Sequence, residues 1–424
     1  MAMIPSAIGC WHSSATLACH RPPKALRPYL HPLNRYPWRA LMAVEPSPAP
    51  VAVVDCGTNS TRLLIDDGTG LGQRLLRITG LGRGVDAGGR LRDDAIGRVV
   101  DVLREYRQII EDRQATAVRA VATSAARDAA NGAEFLQRAS DALGTDVERL
   151  DGDAEAAYGF AGATTGLAGV SGHGTSSDPD APTDSALAER SAALVLDIGG
   201  GSTEFAYGTP STDARPDAAT SVDMGSVRWT ERFLASDPPR PEELSSAISV
   251  ARLHLDDVER DHPVIAQGAA AARLVGIAGT VTTVAAVEIG LDPYDPEVID
   301  GFVLSRAAAE DVFRTLATER LADRVHNPGL HIDRAPVIVG GCCILVAVMR
   351  HWDIDECIVR ERDLLDGIAA ELREAQASPV AELREAQASP AAELREAQAS
   401  PAAELREAQA SPAAELREGT DAAR

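Results

Sequence analysis

The strongest constraint on this chain is a motif that occurs twice. Val51-Ala-Val-Val-Asp55-Cys-Gly-Thr-Asn-Ser-Thr-Arg62-Leu-Leu-Ile65 and Ala193-Leu-Val-Leu-Asp197-Ile-Gly-Gly-Gly-Ser-Thr-Glu204-Phe-Ala-Tyr207 share one plan. An apolar run ends on an aspartate, a turn of Gly, Ser and Thr residues follows, and a second apolar run returns. This pattern predicts a buried strand, a tight turn and an antiparallel partner strand. The duplication predicts two comparable halves whose turns face each other.

Helical periodicity fills the sequence between the strands, at 93 to 113 (Ile96, Val99, Val100, Leu103, Tyr106, Ile109, Ile110), 131 to 143, 241 to 260, 305 to 320, 335 to 350 and 362 to 375. Strands interleaved with helices predict an α/β protein. The expected domains are 48-170 and 191-360, joined by a Ser-, Gly-, Asp- and Pro-rich flexible insertion at 171-190, with a C-terminal helix at 361-375 returning to the first domain. Residues 1-47 hold Pro, His and Trp but no apolar core of a secretory signal and no helical period, so they read as an unstructured extension, with Met42 the expected start. At the other end, 376-424 repeats an eleven-residue unit. Glu-Leu-Arg-Glu recurs at 371, 382, 393, 404 and 415, and Pro379, Pro390, Pro401 and Pro412 break each helical turn, which predicts a solvated low-complexity extension.

Composition removes several function classes. With 41 basic and 63 acidic residues the net charge is -22, so neither nucleic acid nor an anionic membrane surface is an expected partner. No stretch of about 18 uninterrupted apolar residues occurs, so no membrane span is expected. Lys24 is the only lysine, which excludes Walker-type phosphate chemistry and Schiff-base catalysis from both halves. Six cysteines (Cys10, Cys19, Cys56, Cys342, Cys343, Cys357) without CxxC spacing imply free thiols, a reducing compartment and a cytoplasmic location. His326 and His331 lie five apart, outside the spacing of a helical metal pair, and are read as plain.

The turns carry the chemistry. Gly199, Gly200 and Gly201 allow the backbone close to a ligand, and successive amides in such a turn form an anion-binding nest. Ser202 and Thr203 add hydroxyls, and Thr58, Asn59 and Ser60 offer the same in the first half. Asp55, Asp197 and Glu204 repel anions on their own. They make sense with Mg²⁺ or another hard divalent cation held through carboxylates and waters and bridging to phosphate. A third turn, Gly276-Ile-Ala-Gly279-Thr280-Val-Thr-Thr283, follows another apolar strand and adds amides and hydroxyls. One such turn alone is as often a structural β-turn; two led by Asp point to phosphate.

At this level of detail the chain resembles the exopolyphosphatase and guanosine pentaphosphate phosphatase family, within the superfamily of actin, sugar kinases and heat-shock chaperones. The resemblance rests on the two hairpins and on Ala122-Thr-Ser-Ala-Ala-Arg127-Asp-Ala-Ala-Asn131, Asp151-Gly-Asp-Ala-Glu155-Ala, Ser221-Val-Asp-Met-Gly225-Ser-Val-Arg228, Gly279-Thr280 and Glu361-Arg-Asp-Leu-Leu-Asp-Gly367. These cover roughly residues 50 to 370, in order. The resemblance implies two actin-like (ribonuclease H-like) domains with an active site in the cleft between them. It implies hydrolytic release of terminal phosphate from inorganic polyphosphate, or from guanosine pentaphosphate by the same residues, by a homodimer. A non-catalytic phosphate- or nucleotide-binding protein of the same fold is the third reading.

The resemblance also assigns roles. Glu155 matches the catalytic general base; from the residues alone it reads as an ordinary solvated helix glutamate. Asp197 and Glu204 match the acidic pair that supports the metal or the water, and Asp55 the first-half aspartate. Thr58, Asn59, Ser60, Gly199, Gly200, Gly201, Ser202, Gly279 and Thr280 match phosphate-binding positions, and Arg127 an arginine on a phosphate oxygen. Two departures stand out. Ala154 replaces an acidic neighbour of the base. Gly80 takes the place of an arginine, with Arg83 three residues later, which puts one phosphate contact in doubt.

Overall fold

The first hairpin pairs Val51–Cys56 (β1) antiparallel with Ser60–Asp66 (β2) and sets Asp55 directly opposite Arg62. All six residues of β1 are buried, as expected of a central strand covered on both faces. Gln73–Ile78 (β3) extends the sheet beside β2, while Ala117–Ala122 (β4) and Val147–Arg149 (β5) join parallel on the other side, giving the order β3-β2-β1-β4-β5. These positions come from a computed structural model that describes residues 49–69, 72–167, 192–211, 215–269 and 271–377. The expectations for 1-47, 171-190 and the repeats beyond 377 lie outside the described residues.

The second hairpin repeats the first. Ala193–Ile198 (β6) pairs with Thr203–Gly208 (β7) and sets Asp197 opposite Glu204. Ala218–Val222 (β8), Arg273–Ile277 (β9), Val303–Ser305 (β10) and Glu356–Val359 (β11) complete a sheet of order β10-β11-β9-β6-β7-β8. Counted from β3 and from β8, the two sheets have the same order and strand sense, with β10 added to the second. The fold is α/β, with two sheet units of matching strand order, as expected from the duplicated hairpins, and both sheets belong to one compact unit.

The helices predicted from periodicity are Asp93–Asp112, Gly132–Leu143, Pro241–Asp261, Arg306–Thr318, Ile338–His351 and 364–377. Among the described helices of eight or more residues, three more escape the pattern: Gly152–Thr164, Ser226–Phe233 and Ala278–Ile289. The first and third are apolar nearly all round, so no amphipathic stripe marks them. The segment read as a third turn is β9 running straight into Ala278–Ile289. Ala278 turns that corner at φ 62, a left-handed conformation costing a non-glycine residue roughly 1–2 kcal/mol.

Two helices cross over between the sheets. Gly152–Thr164 follows the first sheet in sequence, yet Ala156, Phe160 and Ala163 pack on Val195, Ala206, Val275 and Ile277 of the second. The helix 364–377 follows the second sheet and lays Leu364, Leu365 and Ile368 on Val51, Val53 and Leu64 of the first. The two helices touch through glycine: a Cβ on Gly162 would overlap the Asp363 carbonyl, and one on Gly367 the Tyr158 carbonyl. Full burial of Phe160 alone contributes about 1.5–3 kcal/mol. This packing carries Glu155 into the space between the sheets.

Candidate active site

The two turns meet face to face. Gly57 N donates to Ser60 O at 2.9 Å and Gly199 N to Ser202 O at 3.0 Å, so both hairpins close in the same way. A Cβ on Gly200 would stand 2.9 Å from Thr58 Cβ and 3.1 Å from Asn59 N, so glycine is what lets the turns come this close. Beside them opens a cavity of about 880 Å³. Asp55, Thr58, Asn59, Ser60, Glu155, Asp197, Gly199, Gly200, Gly201, Ser202, Gly279 and Thr280 all line it. Residues drawn from four separate stretches of sequence therefore share one wall.

Arg127 and Glu204 stand behind that wall and do not line the cavity. Expected on a phosphate oxygen, Arg127 is instead turned onto the base: its Nη1 donates to Glu155 Oε2 at 2.6 Å and to the Leu150 carbonyl at 3.0 Å. Glu204 Oε1 accepts from Ser221 Oγ at 2.7 Å. Gly80 and Arg83 are also outside the lining, and Arg83 is exposed.

Glu155 sits in the first turn of its helix, which Asp151 caps by accepting from Ala154 N at 2.8 Å. Burial pushes the Glu155 carboxyl up to about 7 against the downward pull of Arg127. Burial, with Glu155, Asp363 and Asp55 nearby, raises Asp197 to about 8 even though Arg62 opposes it. Glu204 is held well above its ordinary range by burial and by Glu155 and Asp197. Burial also raises Asp55, against the pull of Arg62.

A divalent cation fits this crowding. Asp55 Oδ1 and Glu204 Oε2 are buried oxygens without a hydrogen-bond partner, and the surrounding carboxylates raise one another's proton affinity. Asp55 Oδ2 is already taken by Arg62, at 3.0 Å from Nε and 2.7 Å from Nη2. Among the described residues, the three side chains whose ligand atoms converge within 4.8 Å are Asp256, Glu259 and His351. Asp55, Asp197 and Glu204 do not form so tight a trio.

Several lining residues carried no signal of their own in the sequence. Arg62 bridges Asp55 and Asp363, and Arg74 pairs with Asp366. Arg334 Nη1 donates to the Gly279 carbonyl and, at 2.8 Å, to Thr283 Oγ1. Tyr294, His326 and His331 line the same cavity, together with Leu291 and Ile332. The histidines read as plain are thus on the cavity wall. Arg62 and Asp363 lay inside quoted motifs, but what each one touches depends on segments about 300 residues apart (363 minus 62) coming together.

The sequence profile of the Ppx/GppA phosphatase family matches residues 71–174 and 184–374, a span that includes Glu155, the second phosphate turn and Arg334, with the first turn just upstream of it. The chain belongs to that family. Exopolyphosphatase 2 of Mycobacterium tuberculosis is 37% identical over 342 residues, covering 76% of this chain and 98% of that protein. A guanosine-5'-triphosphate,3'-diphosphate pyrophosphatase of Vibrio atlanticus is 29% identical over 335 residues, which are 78% of this chain but 61% of that longer protein. Among solved structures, the Aquifex aeolicus member of the family superposes with a TM-score of 0.60 at 30% identity, covering 77% of this chain and 98% of its own. An exopolyphosphatase-like protein gives 0.64 at 33% identity, covering 76% and 98%. Family membership makes the chain a hydrolase; among the described residues, no helix is long and apolar enough to cross a membrane.

Proposed function

We propose that the protein is an exopolyphosphatase that removes the terminal phosphate from inorganic polyphosphate. The observation that carries this reading is Glu155, a carboxylate raised to about 7 and held by Arg127 on the wall of a cavity that both phosphate turns also line. A base is most effective when its pKa lies near the working pH. Glu155 takes a proton from water as the water oxygen bonds to the terminal phosphorus. The bridging P–O bond breaks, and orthophosphate leaves with a chain one unit shorter.

The turn amides and the hydroxyls of Thr58, Ser60 and Ser202 bind the phosphate oxygens, and Arg334 extends the grip along the cavity. Asp55 and Asp197, with Glu204 behind them, would hold Mg²⁺, which would supply neutralising charge for a polyanion on a chain of net charge -22. Buried free thiols at Cys56, Cys342, Cys343 and Cys357 support a reducing, cytoplasmic setting, and the family resemblance is what supports a homodimer.

Guanosine pentaphosphate is the second reading, favoured by one observation: Tyr294, Leu291 and Ile332 give part of the cavity an apolar wall on which a base can stack. The deciding experiment measures phosphate release from long polyphosphate, short polyphosphate, guanosine pentaphosphate and ATP, with and without Mg²⁺. The proposal expects polyphosphate to be cleaved at the highest kcat/KM. No release from polyphosphate alongside release from the nucleotide replaces the first reading with the second.

A further inference from the structure

The motif ending in Arg228 has no role in the reaction as described, yet its contacts converge on the second phosphate turn. Three successive carbonyls of that turn, those of Gly199, Gly200 and Gly201, are each held by a donor from the segment that follows Gly225. Ser226 N donates to the Gly199 carbonyl at 2.9 Å, and Val227 N to the Gly200 carbonyl at 2.9 Å. The Gly201 carbonyl has no such backbone donor; Arg228 Nε supplies it at 2.7 Å. A peptide whose carbonyl is tied back presents its neighbouring amide to the opposite side, and this orientation makes an anion nest.

Glycine peptides rotate readily, so the last link needs a firm hold. Arg228 is itself fixed from the other half of the molecule. Its Nη1 donates to Asp86 Oδ1 at 2.8 Å, and its Nη2 bonds Asp128 Oδ2. Asp128 directly follows Arg127, the residue that holds Glu155. The side chain of Arg228 is only 14% exposed. Glu231, one turn further along the same helix, accepts from Gly84 N at 3.0 Å and keeps that helix against the first half.

We propose that Arg228 is a positioning residue. It locks the Gly201 peptide with its amide face toward the cavity and ties the second phosphate turn to the segment that holds the base. The fork of a guanidinium reaches the carbonyl and both carboxylates at once, which an ammonium cannot do. The inference deepens the phosphate-cleaving reading and rests on it, but it can be tested by binding alone.

The test compares the wild type, Arg228→Met, Arg228→Lys and Asp86→Asn by titration calorimetry with inorganic phosphate and with tripolyphosphate, each in Mg²⁺, alongside thermal melts and the KM and kcat of phosphate release. Arg228→Met is expected to weaken phosphate binding at least tenfold and to raise KM by a similar factor. Arg228→Lys fails to restore either value, and Asp86→Asn, which keeps the Gly201 contact, loses about threefold. If Arg228→Met lowers only the melting temperature and binds phosphate as the wild type does, Arg228 is a structural ion pair and the proposal is overturned. If Arg228→Met does not fold, wild-type phosphate affinity in Asp86→Asn overturns it instead. Absence of polyphosphate hydrolysis by the wild type counts against the assigned substrate, whereas the binding comparison tests the clamp regardless.

Discussion

Arg127 Nη1 lies 2.6 Å from Glu155 Oε2, and this pair fixes where the only cavity-lining glutamate of the Gly152–Thr164 helix points. Its two side chains are 19% and 11% exposed, so the interaction is strong enough to orient the base. Burial alone would leave Glu155 protonated further into the alkaline range; Arg127 brings it back to about 7.

Glu155→Gln keeps the shape and the contact with Arg127 but cannot accept a proton. The expected result is a fall in kcat of roughly 10²–10⁴-fold with KM changed little. Steady-state phosphate release checks it, and a wild-type kcat in this variant ends the proposed mechanism.

The base must be ionised to work, so kcat/KM should fall as the pH drops below about 7. Arg127 lowers the Glu155 pKa, so Arg127→Met should move this acid limb to higher pH. A pH profile of the two proteins measures the displacement. An unmoved limb in Arg127→Met would show that another group titrates.

Buried carboxylates also make stability depend on pH. Asp197 is raised to about 8 and Glu155 to about 7, from ordinary values near 4. A raised folded-state pKa contributes stability that is fully present below about pH 4 and is lost as the pH rises through about 8. Without divalent cations the melting temperature should therefore decrease from pH 5 to pH 8.5, on account of these groups. Asp197→Asn should flatten the slope, and Mg²⁺ should restore stability at the alkaline end. Thermal melts at several pH values, with chelator and with Mg²⁺, give the answer.

Gly200→Ala places a methyl group 2.9 Å from Thr58 Cβ and 3.1 Å from Asn59 N, so the two turns must separate. Overpacking of this kind costs about 1–3 kcal/mol. The variant should melt earlier and show a raised KM, because both halves of the phosphate grip move. Equal KM values would show that the turns bind phosphate independently.

Much of the architecture was legible because its signals are local. The paired hairpins could be read from apolar runs ending on Asp55 and Asp197, and six helices from their apolar spacing. The helix bearing Glu155 was not legible as a buried element, since Ala, Gly and Phe on all sides leave no polar face to define a stripe. The same composition lets it pass between the second sheet and the helix 364–377, where Gly162 and Gly367 allow contact.

The sequence alone determined that this protein has two related halves, each with an Asp-led phosphate turn, and that phosphate cannot be held by lysine within them. Tertiary structure alone decided which charges meet. Arg62 joins Asp55 of its own hairpin to Asp363, about 300 residues along the chain (363 minus 62). Arg127 reaches a carboxylate rather than the cavity, and Arg228 joins the halves through Asp86 and Asp128. The reason is physical. Strand and turn preferences act over a few neighbours in the chain, whereas the ionisation and orientation of a buried side chain depend on whatever distant groups share its low-dielectric surroundings.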